Sequence, residues 1–514
     1  MLDLHHFLAR SAGAAVVCGL LLSIFHATHG FQAAAKSVGM TAVVFDSGLL
    51  SSVLTHRLFF HRLRRFPGPF FAKASKLWTF LRVANKPQAH VLTMQLHQRY
   101  GDWVRIDPRE LSTTVAAAIP AIYSSGSALI PGDDNHGSIF SVRNKEIHSD
   151  RRKAWSRPFN GAAVASCTGW MVRRSMREIL QDVEKSGEAY SLSALWFTHL
   201  SFQPLFRIVL RLITMISICS GTSEPRSTLH GAALRLLISL PGAAKALEPF
   251  QDWCNNELNQ EIKKREAGEK PNGSIVSRLV NDPEGLFTLT EIARNLDSRL
   301  TVAAGSFEYS DTVASAIVGV WCYMAANPTI YKKLQRILDQ DFTGGDREYS
   351  NSVGSHTPYL GGVIHEFLRL QPLIPSALPR ETPPEGITIE GVYVPGSTII
   401  SVPVHAIGRD GRYYERPFEF VAERWTEEMP EPVRDSRVFM PFTLGPYQCA
   451  GNPRACLEMR MVLSRVALNF DLALANHGTE DVPRSPSGPL FVAGAGFVDQ
   501  VFAEEEEWGN KSAA

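Results

Sequence analysis

Apolar positions come as one long block at the start of the chain and with helical period beyond it. From Ser11 to Ala35 there are 25 consecutive positions without Asp, Glu, Lys or Arg, including the run from Ala14 to Phe25. A spanning helix needs about 20 mostly apolar residues, so this pattern predicts a membrane span over 11–35. A second, weaker candidate runs from Val38 to Leu54, interrupted by Asp46. A basic cluster follows: His56, Arg57, His61, Arg62, Arg64 and Arg65. Positive flanks stay cytosolic, which places the chain after Arg57 on that face. A cleaved signal peptide is the competing reading.

Phe66-Pro67-Gly68-Pro69 cannot continue a helix and predicts a stiff turn between anchor and body. Beyond it the spacing predicts helices over His90–Arg99, Pro249–Arg265 and Leu296–Ala326. The last of these is almost wholly apolar, as a buried central helix is, and stops at Asn327-Pro328 before another helix to Leu338. Short strands are expected at Trp103–Ile106 and Thr113–Ala117. The β-branched stretch Ile387–Ile400, broken at Gly391 and Gly396, reads as hairpins. A final helix is expected from Gly451 to Phe470. The domain reading is an anchor with its basic flank over 1–65, a mainly α body with a minor β part over 66–502, and an acidic tail over 503–514.

Composition narrows the function classes. The balance of 52 basic against 51 acidic residues gives no support to a nucleic-acid partner. Seven scattered cysteines without a CxxC pair argue against a disulfide framework or a zinc site, and favour a reducing compartment.

The most informative segment is Pro441–Gly451. Gly445 and Gly451 bracket Cys449 and permit close backbone approach and positive φ. The helix that follows would place the sulfur at a helix N-terminus, where thiolate is favoured. Taken alone, a buried free cysteine is the commoner meaning of such a residue. The pattern Phe442-x-x-Gly445-x-x-x-Cys449-x-Gly451, however, resembles the haem-binding signature of the cytochrome P-450 family. Upstream, Glu366-Phe367-Leu368-Arg369 resembles the family's Glu-x-x-Arg helix, and Phe420–Trp425 its Pro-Glu-Arg-Trp segment. The resemblance runs from about Phe66 to Phe470 and implies the P-450 fold behind the anchor.

Glu366 and Arg369 share one helix face, their apolar neighbours predict burial, and Arg424 would complete a triad. The resemblance implies haem b with Cys449 as the axial ligand of the iron. It makes the segment from His148 to Phe159 the propionate-binding helix, with Arg152 as its arginine and His148 where many members have Trp. Arg380 takes the place of the second propionate arginine. Without the cysteine loop, Arg151-Arg152-Lys153 would read as a solvated basic face.

Asp311-Thr312 resembles the acid–alcohol pair that relays protons to bound dioxygen; read alone, it is a polar pair that caps or kinks a buried helix. Ala304-Gly305-Ser306 is separated from it by Phe307–Ser310, about one helical turn that would rotate the upstream half by roughly 40°. The stretch from Ser201 to Gly221 resembles the family poorly. These two departures point to a changed distal pocket or to an error in the gene model. Tyr447 stands where the family has a basic residue, and Ala422 where it has proline.

The resemblance implies insertion of one oxygen atom from O2 into a lipophilic small molecule, by hydroxylation or epoxidation. Electrons would come from NADPH through a membrane-bound cytochrome reductase, at the endoplasmic reticulum membrane with the catalytic domain facing the cytosol. The Phe66–Pro69 entry and the segment Tyr100–Ser112 are most similar to fungal members acting in secondary-metabolite pathways, such as terpenoid or alkaloid tailoring. Two rivals stay open: a haem-thiolate isomerase or dehydratase needing no reductase, and a degenerate member with an altered central helix.

Overall fold

Proline stands in the first turn of three helices that build the core. Pro328, Pro358 and Pro453 each lie in a helical first turn, where the missing N–H would be unpaired anyway and the fixed φ suits the helix. The computed structural model describes mainly residues 31–85, 88–124, 144–157, 258–270, 311–342, 357–376, 378–429 and 433–474, with strand pieces at 190–191 and 490–493.

Among the described residues the helices include α1 (Phe31–Thr55), α2 (Phe70–Ala74), α3 (Lys76–Asn85), α4 (Ala89–Tyr100), α5 (Lys145–Ser156), α6 (Asp311–Ala326), α7 (Pro328–Asp341), α8 (Pro358–Leu370), α9 (Val404–Gly408) and α10 (Asn452–Asn469). The strands are β1 (Trp103–Asp107), β2 (Glu110–Thr113), β3 (Tyr190–Ser191), β4 (Arg380–Glu381), β5 (Ile387–Ile389), β6 (Val392–Val394), β7 (Ile399–Ser401), β8 (Asp471–Leu474) and β9 (Leu490–Ala493). Helix dominates and the sheets are small, as expected.

One sheet has the order β1-β2-β7-β4. Ile400 of β7 lies between Leu111 of β2 and Arg380 of β4, a register that sets Arg380 at the sheet edge. β5 and β6 form the expected hairpin, with Ile387 opposite Val394. One strand differs from expectation: the partner of β1 is Glu110–Thr113, not Thr113–Ala117. Asp107 pairs with Glu110, so the chain reverses at Pro108-Arg109 and the pairing is spent by Thr113. The helix expected over Leu296–Ala326 is described from Asp311 onward, and Ser201–Gly221 lies outside the described residues. Of Pro249–Arg265, only the end is continuously described, and 258–266 is helical.

Two apolar clusters fill the body. The first joins α6, α7, α8 and α10 through residues such as Ile317, Leu334, Phe367 and Val462. The second lies under the mixed sheet and includes Leu111, Ile119, Tyr123, Ile400 and Met440.

At the N-terminal end, the described helix long and apolar enough to cross a membrane is Lys36–Phe60. It covers the weaker stretch, Val38–Leu54; most of the stronger stretch, over 11–35, lies outside the described residues. The turn after it is stiff for a definable reason. Gly68 has a φ of 153°, and a Cβ there would meet the Arg105 carbonyl oxygen at 2.3 Å. Arg105 is fully buried, and its guanidinium donates to the carbonyls of Arg57 (3.1 Å) and Pro108 (2.8 Å). The Arg57 guanidinium in turn donates to Ala74 O at 2.9 Å, so the end of the apolar helix is tied to the sheet.

Candidate active site

The loop 441–451 is pinned where the two apolar clusters meet. Phe442 packs on the helical cluster and Leu444 on the sheet cluster. Gly445 follows with a φ of 71°, and its missing Cβ would meet Tyr123 O at 2.3 Å. Only glycine fits a left-handed residue pressed so closely on another backbone. Cys449 N donates to Phe442 O at 3.0 Å and closes the loop.

Cys449 therefore lies immediately before α10. Its surface is open to solvent, yet the surrounding protein is dense enough that burial pushes the thiol up. The N–H groups of Gly451 and Asn452 and the charge of Arg152 pull the other way without prevailing. The helix terminus acts in the expected direction, but in this state desolvation exceeds it. Gly451 also differs from expectation. Its φ of −77° is ordinary helical backbone, and a Cβ there would make normal contact with Cys449 Sγ at 3.8 Å. Positive φ is needed at Gly445 alone of the two.

Beside the cysteine lies a cationic cradle. Asn144 caps α5 by accepting from the N–H groups of Glu146 (2.9 Å) and Ile147 (3.2 Å). From this helix Arg152 Nη1 donates to Gln448 O at 2.6 Å. His148 is buried on the same helix, its ring 4.0 Å from that of Tyr447. Burial, then Arg152, Arg380 and Arg151, push His148 down to about 4, so it is neutral at physiological pH. Because Asn144 organises this helix, Asn144→Ala is expected to lower stability by about 1 kcal/mol. An unchanged thermal midpoint would contradict that role.

Arg380 reaches the same place from β4 and is fully buried. Its guanidinium lies over the rings of Tyr123 (5.1 Å) and Tyr447 (5.2 Å). Nη1 donates to Pro379 O at 3.1 Å, whereas Nε, Nη2 and the nearby Tyr447 hydroxyl are buried without a partner among the described residues. Tyr123 steadies this arrangement, since its hydroxyl donates to Leu378 O and accepts from Val402 N. Nothing in the local sequence marks Tyr123, which comes from a segment far from every motif.

Glu366, Arg369 and Arg424 meet with no side-chain exposure. Glu366 Oε1 accepts from Arg369 Nη2 (2.7 Å), Arg424 Nε (3.2 Å) and Val421 N (2.9 Å). Oε2 accepts from Arg369 Nε (3.0 Å) and Trp425 Nε1 (2.8 Å). The indole of Trp425 is thus a fourth member that charge pairing alone would not reveal. Its ring lies 4.4 Å from Phe439, where the chain enters the cysteine loop.

Asp311 and Thr312 are the first described residues of α6, but their side chains and the stretch 301–310, with Ala304-Gly305-Ser306 in it, lie outside the described residues.

A buried cation with open donors, a second arginine and an exposed cysteine on one loop fit a planar cofactor with a metal centre and anionic edges. Comparison with known proteins bears on that directly. This chain is 32% identical to cytochrome P-450 monooxygenase FCK2 of Fusarium pseudograminearum, over 96% of this chain and 90% of the relative. The chain belongs to the cytochrome P-450 family. The family model described as Cytochrome P-450 matches residues 243–494. Tryprostatin B 6-hydroxylase of Aspergillus fumigatus is 30% identical, over 85% of this chain and 80% of its own length. Cytochrome P-450 monooxygenase notG' of Aspergillus versicolor is 29% identical, over 85% and 82%. Membership makes the protein a haem-iron monooxygenase that takes O2, a small-molecule substrate and electrons from a redox partner.

Proposed function

We propose that Cys449 is the axial thiolate of haem b, that Arg152 and Arg380 hold its propionates, and that Asp311 and Thr312 relay protons on the distal side. One observation supports this reading above all: Arg380 is fully buried beside the cysteine loop, with two guanidinium nitrogens that find no acceptor among the described residues. An unpaired buried donor costs about 1–3 kcal/mol, and more when charged, so the fold keeps it for an anionic ligand. Thiolate-ligated haem iron, when bound, supplies the electron density that favours O–O cleavage.

The chain's own residues do the rest. Gly445 fixes the loop that presents Cys449, and the N–H groups of Gly451 and Asn452 favour the deprotonated sulfur that a metal requires. Arg152 ties α5 to that loop through Gln448. The tasks given to Asp311 and Thr312 rest on the resemblance: an acid and a hydroxyl at the buried helix suit delivery of two protons.

The substrate is a lipophilic small molecule, and the reaction a hydroxylation or epoxidation in fungal secondary-metabolite tailoring, of a terpenoid or alkaloid. The fungal relatives, one of them named a hydroxylase, support this. Electrons come from NADPH through a membrane-bound reductase. The apolar helix Lys36–Phe60, tied to the body through Arg57, supports an anchor in the endoplasmic reticulum membrane with the catalytic domain in the cytosol.

The test is the carbon-monoxide difference spectrum of the reduced protein. The wild type should show a thiolate-type Soret band, and Cys449→Ala should lose it while far-ultraviolet circular dichroism stays native-like. A Cys449→Ala protein that kept the band would remove the ligand assignment.

A further inference from the structure

Two residues of the cysteine loop have left-handed backbone, and sterics accounts for only one of them. Gly445 adopts that conformation freely, but Thr443 adopts it too, with a φ of 58°. A β-branched side chain is a steric outlier there. Among the described residues Glu390, Ser397 and Arg416 also have positive φ, and none of them is β-branched. Glycine or asparagine would turn the chain at 443 with less strain, so the threonine is kept for what its side chain does.

The hydroxyl Oγ1 of Thr443 donates to Tyr447 O at 3.1 Å. On the other edge of the same peptide, Gln448 N donates to Gly445 O at 3.0 Å. The Tyr447–Gln448 peptide is therefore held at both edges, inside the closure made by Cys449 N and Phe442 O. Gln448 O, the next carbonyl, accepts from Arg152 Nη1 at 2.6 Å. Both carbonyls that precede Cys449 are thus fixed by side chains, one from within the loop and one from α5. Thr443 is itself anchored, since its N–H donates to Met440 O at 3.0 Å. Two heavy atoms on Cβ also restrict χ1, which keeps the hydroxyl on its acceptor.

We infer that Thr443 is a positioning residue: its hydroxyl clasps the Tyr447 carbonyl and fixes the peptide that leads into Cys449, against the strain of its own backbone. Without the clasp that peptide is free to rotate about its remaining bond at Gly445, and the sulfur is presented less firmly.

The consequence for an iron ligand rests on haem binding at Cys449, whereas the clasp does not, so the experiment reads each separately in full-length holoprotein. In Thr443→Val, hydrogen exchange of the peptide containing the Cys449 N–H should quicken about fivefold, the loss expected for one ordinary hydrogen bond. The thiolate-type Soret band of its reduced carbon-monoxide complex should decay faster in step. Thr443→Gly should show the same two changes with a thermal midpoint close to the wild type, because relief of left-handed strain offsets the lost bond. A merely structural role would lower the midpoint and the band together. Thr443→Ser keeps the hydroxyl and should stay close to the wild type in exchange and in band persistence. Wild-type exchange in Thr443→Gly would overturn the inference, and so would a Thr443→Ser protein that behaved like Thr443→Val. Should Thr443→Val not fold, the glycine and serine variants decide alone. Faster exchange in Thr443→Gly, set against a wild type without any thiolate-type band, would uphold the clasp and count against haem ligation instead.

Discussion

Glu366→Gln is expected to yield a protein that accumulates little or no haem and unfolds well below the wild type. The carboxylate accepts five hydrogen bonds, four from side chains and one from Val421 N. Glutamine keeps one acceptor oxygen but turns an NH2 group toward donors. It also removes the negative charge that pairs with both Arg369 and Arg424, whose side chains are fully buried. Breaking a buried pair in this way costs about 3–5 kcal/mol, a large share of the roughly 5–15 kcal/mol that holds a domain folded. Damage would spread along a definite route. Arg369 holds the carbonyls of Gly408, Pro417 and Glu419, and Arg424 holds that of Arg416. Trp425 links the cluster to Phe439, directly before the cysteine loop. Releasing these contacts loosens the segment that presents Cys449. Asp150→Asn is the internal control, because the Lys153–Asp150 pair is solvent-exposed on α5 and is worth at most about 1 kcal/mol. Haem content by the pyridine haemochromogen method, read beside the thermal midpoint, checks both variants. Normal haem content in Glu366→Gln would remove the triad from its structural role.

The triad illustrates what the chain's pattern made legible. A spacing of three from Glu366 to Arg369 puts both on one helix face, and flanking leucines imply burial; both hold. Trp425 as a partner of Glu366 was not legible, because indole donors follow no spacing rule and reach across a long loop. The same distinction runs through the cysteine loop. Gly445 and Gly451 look equivalent as letters, but only Gly445 is pressed against Tyr123, a residue brought there by tertiary packing. Arg380 was recognisable by its place before the hairpin; its orphaned donors depend on the register of β4 on β7. The strand opposite β1 was misplaced because reversal at Pro108-Arg109 leaves no room for a longer turn. Helix ends were the easiest to read, since Pro328 and Gly101 are local signals.

Gly445→Ala is expected to abolish the thiolate-type Soret band, whereas Gly451→Ala should leave it largely intact. At Gly445 two penalties combine. A left-handed conformation costs a residue with a Cβ roughly 1–2 kcal/mol. The new methyl would also lie 2.3 Å from Tyr123 O and 2.9 Å from Ser124 Cα, both backbone atoms that cannot swing aside. Overpacking of this kind adds about 1–3 kcal/mol. Relief requires the loop to lift from the 120–124 segment, which carries Cys449 away from Arg152 and disturbs Tyr123 under Arg380. At Gly451 the backbone is already helical, and the methyl would meet Cys449 Sγ at an ordinary 3.8 Å. It would change the surroundings of the sulfur without moving the loop. Reduced carbon-monoxide spectra of the two variants, normalised to protein, separate the cases. Equal loss in both would mean that crowding at the sulfur, rather than the left-handed turn at Gly445, controls how Cys449 is presented.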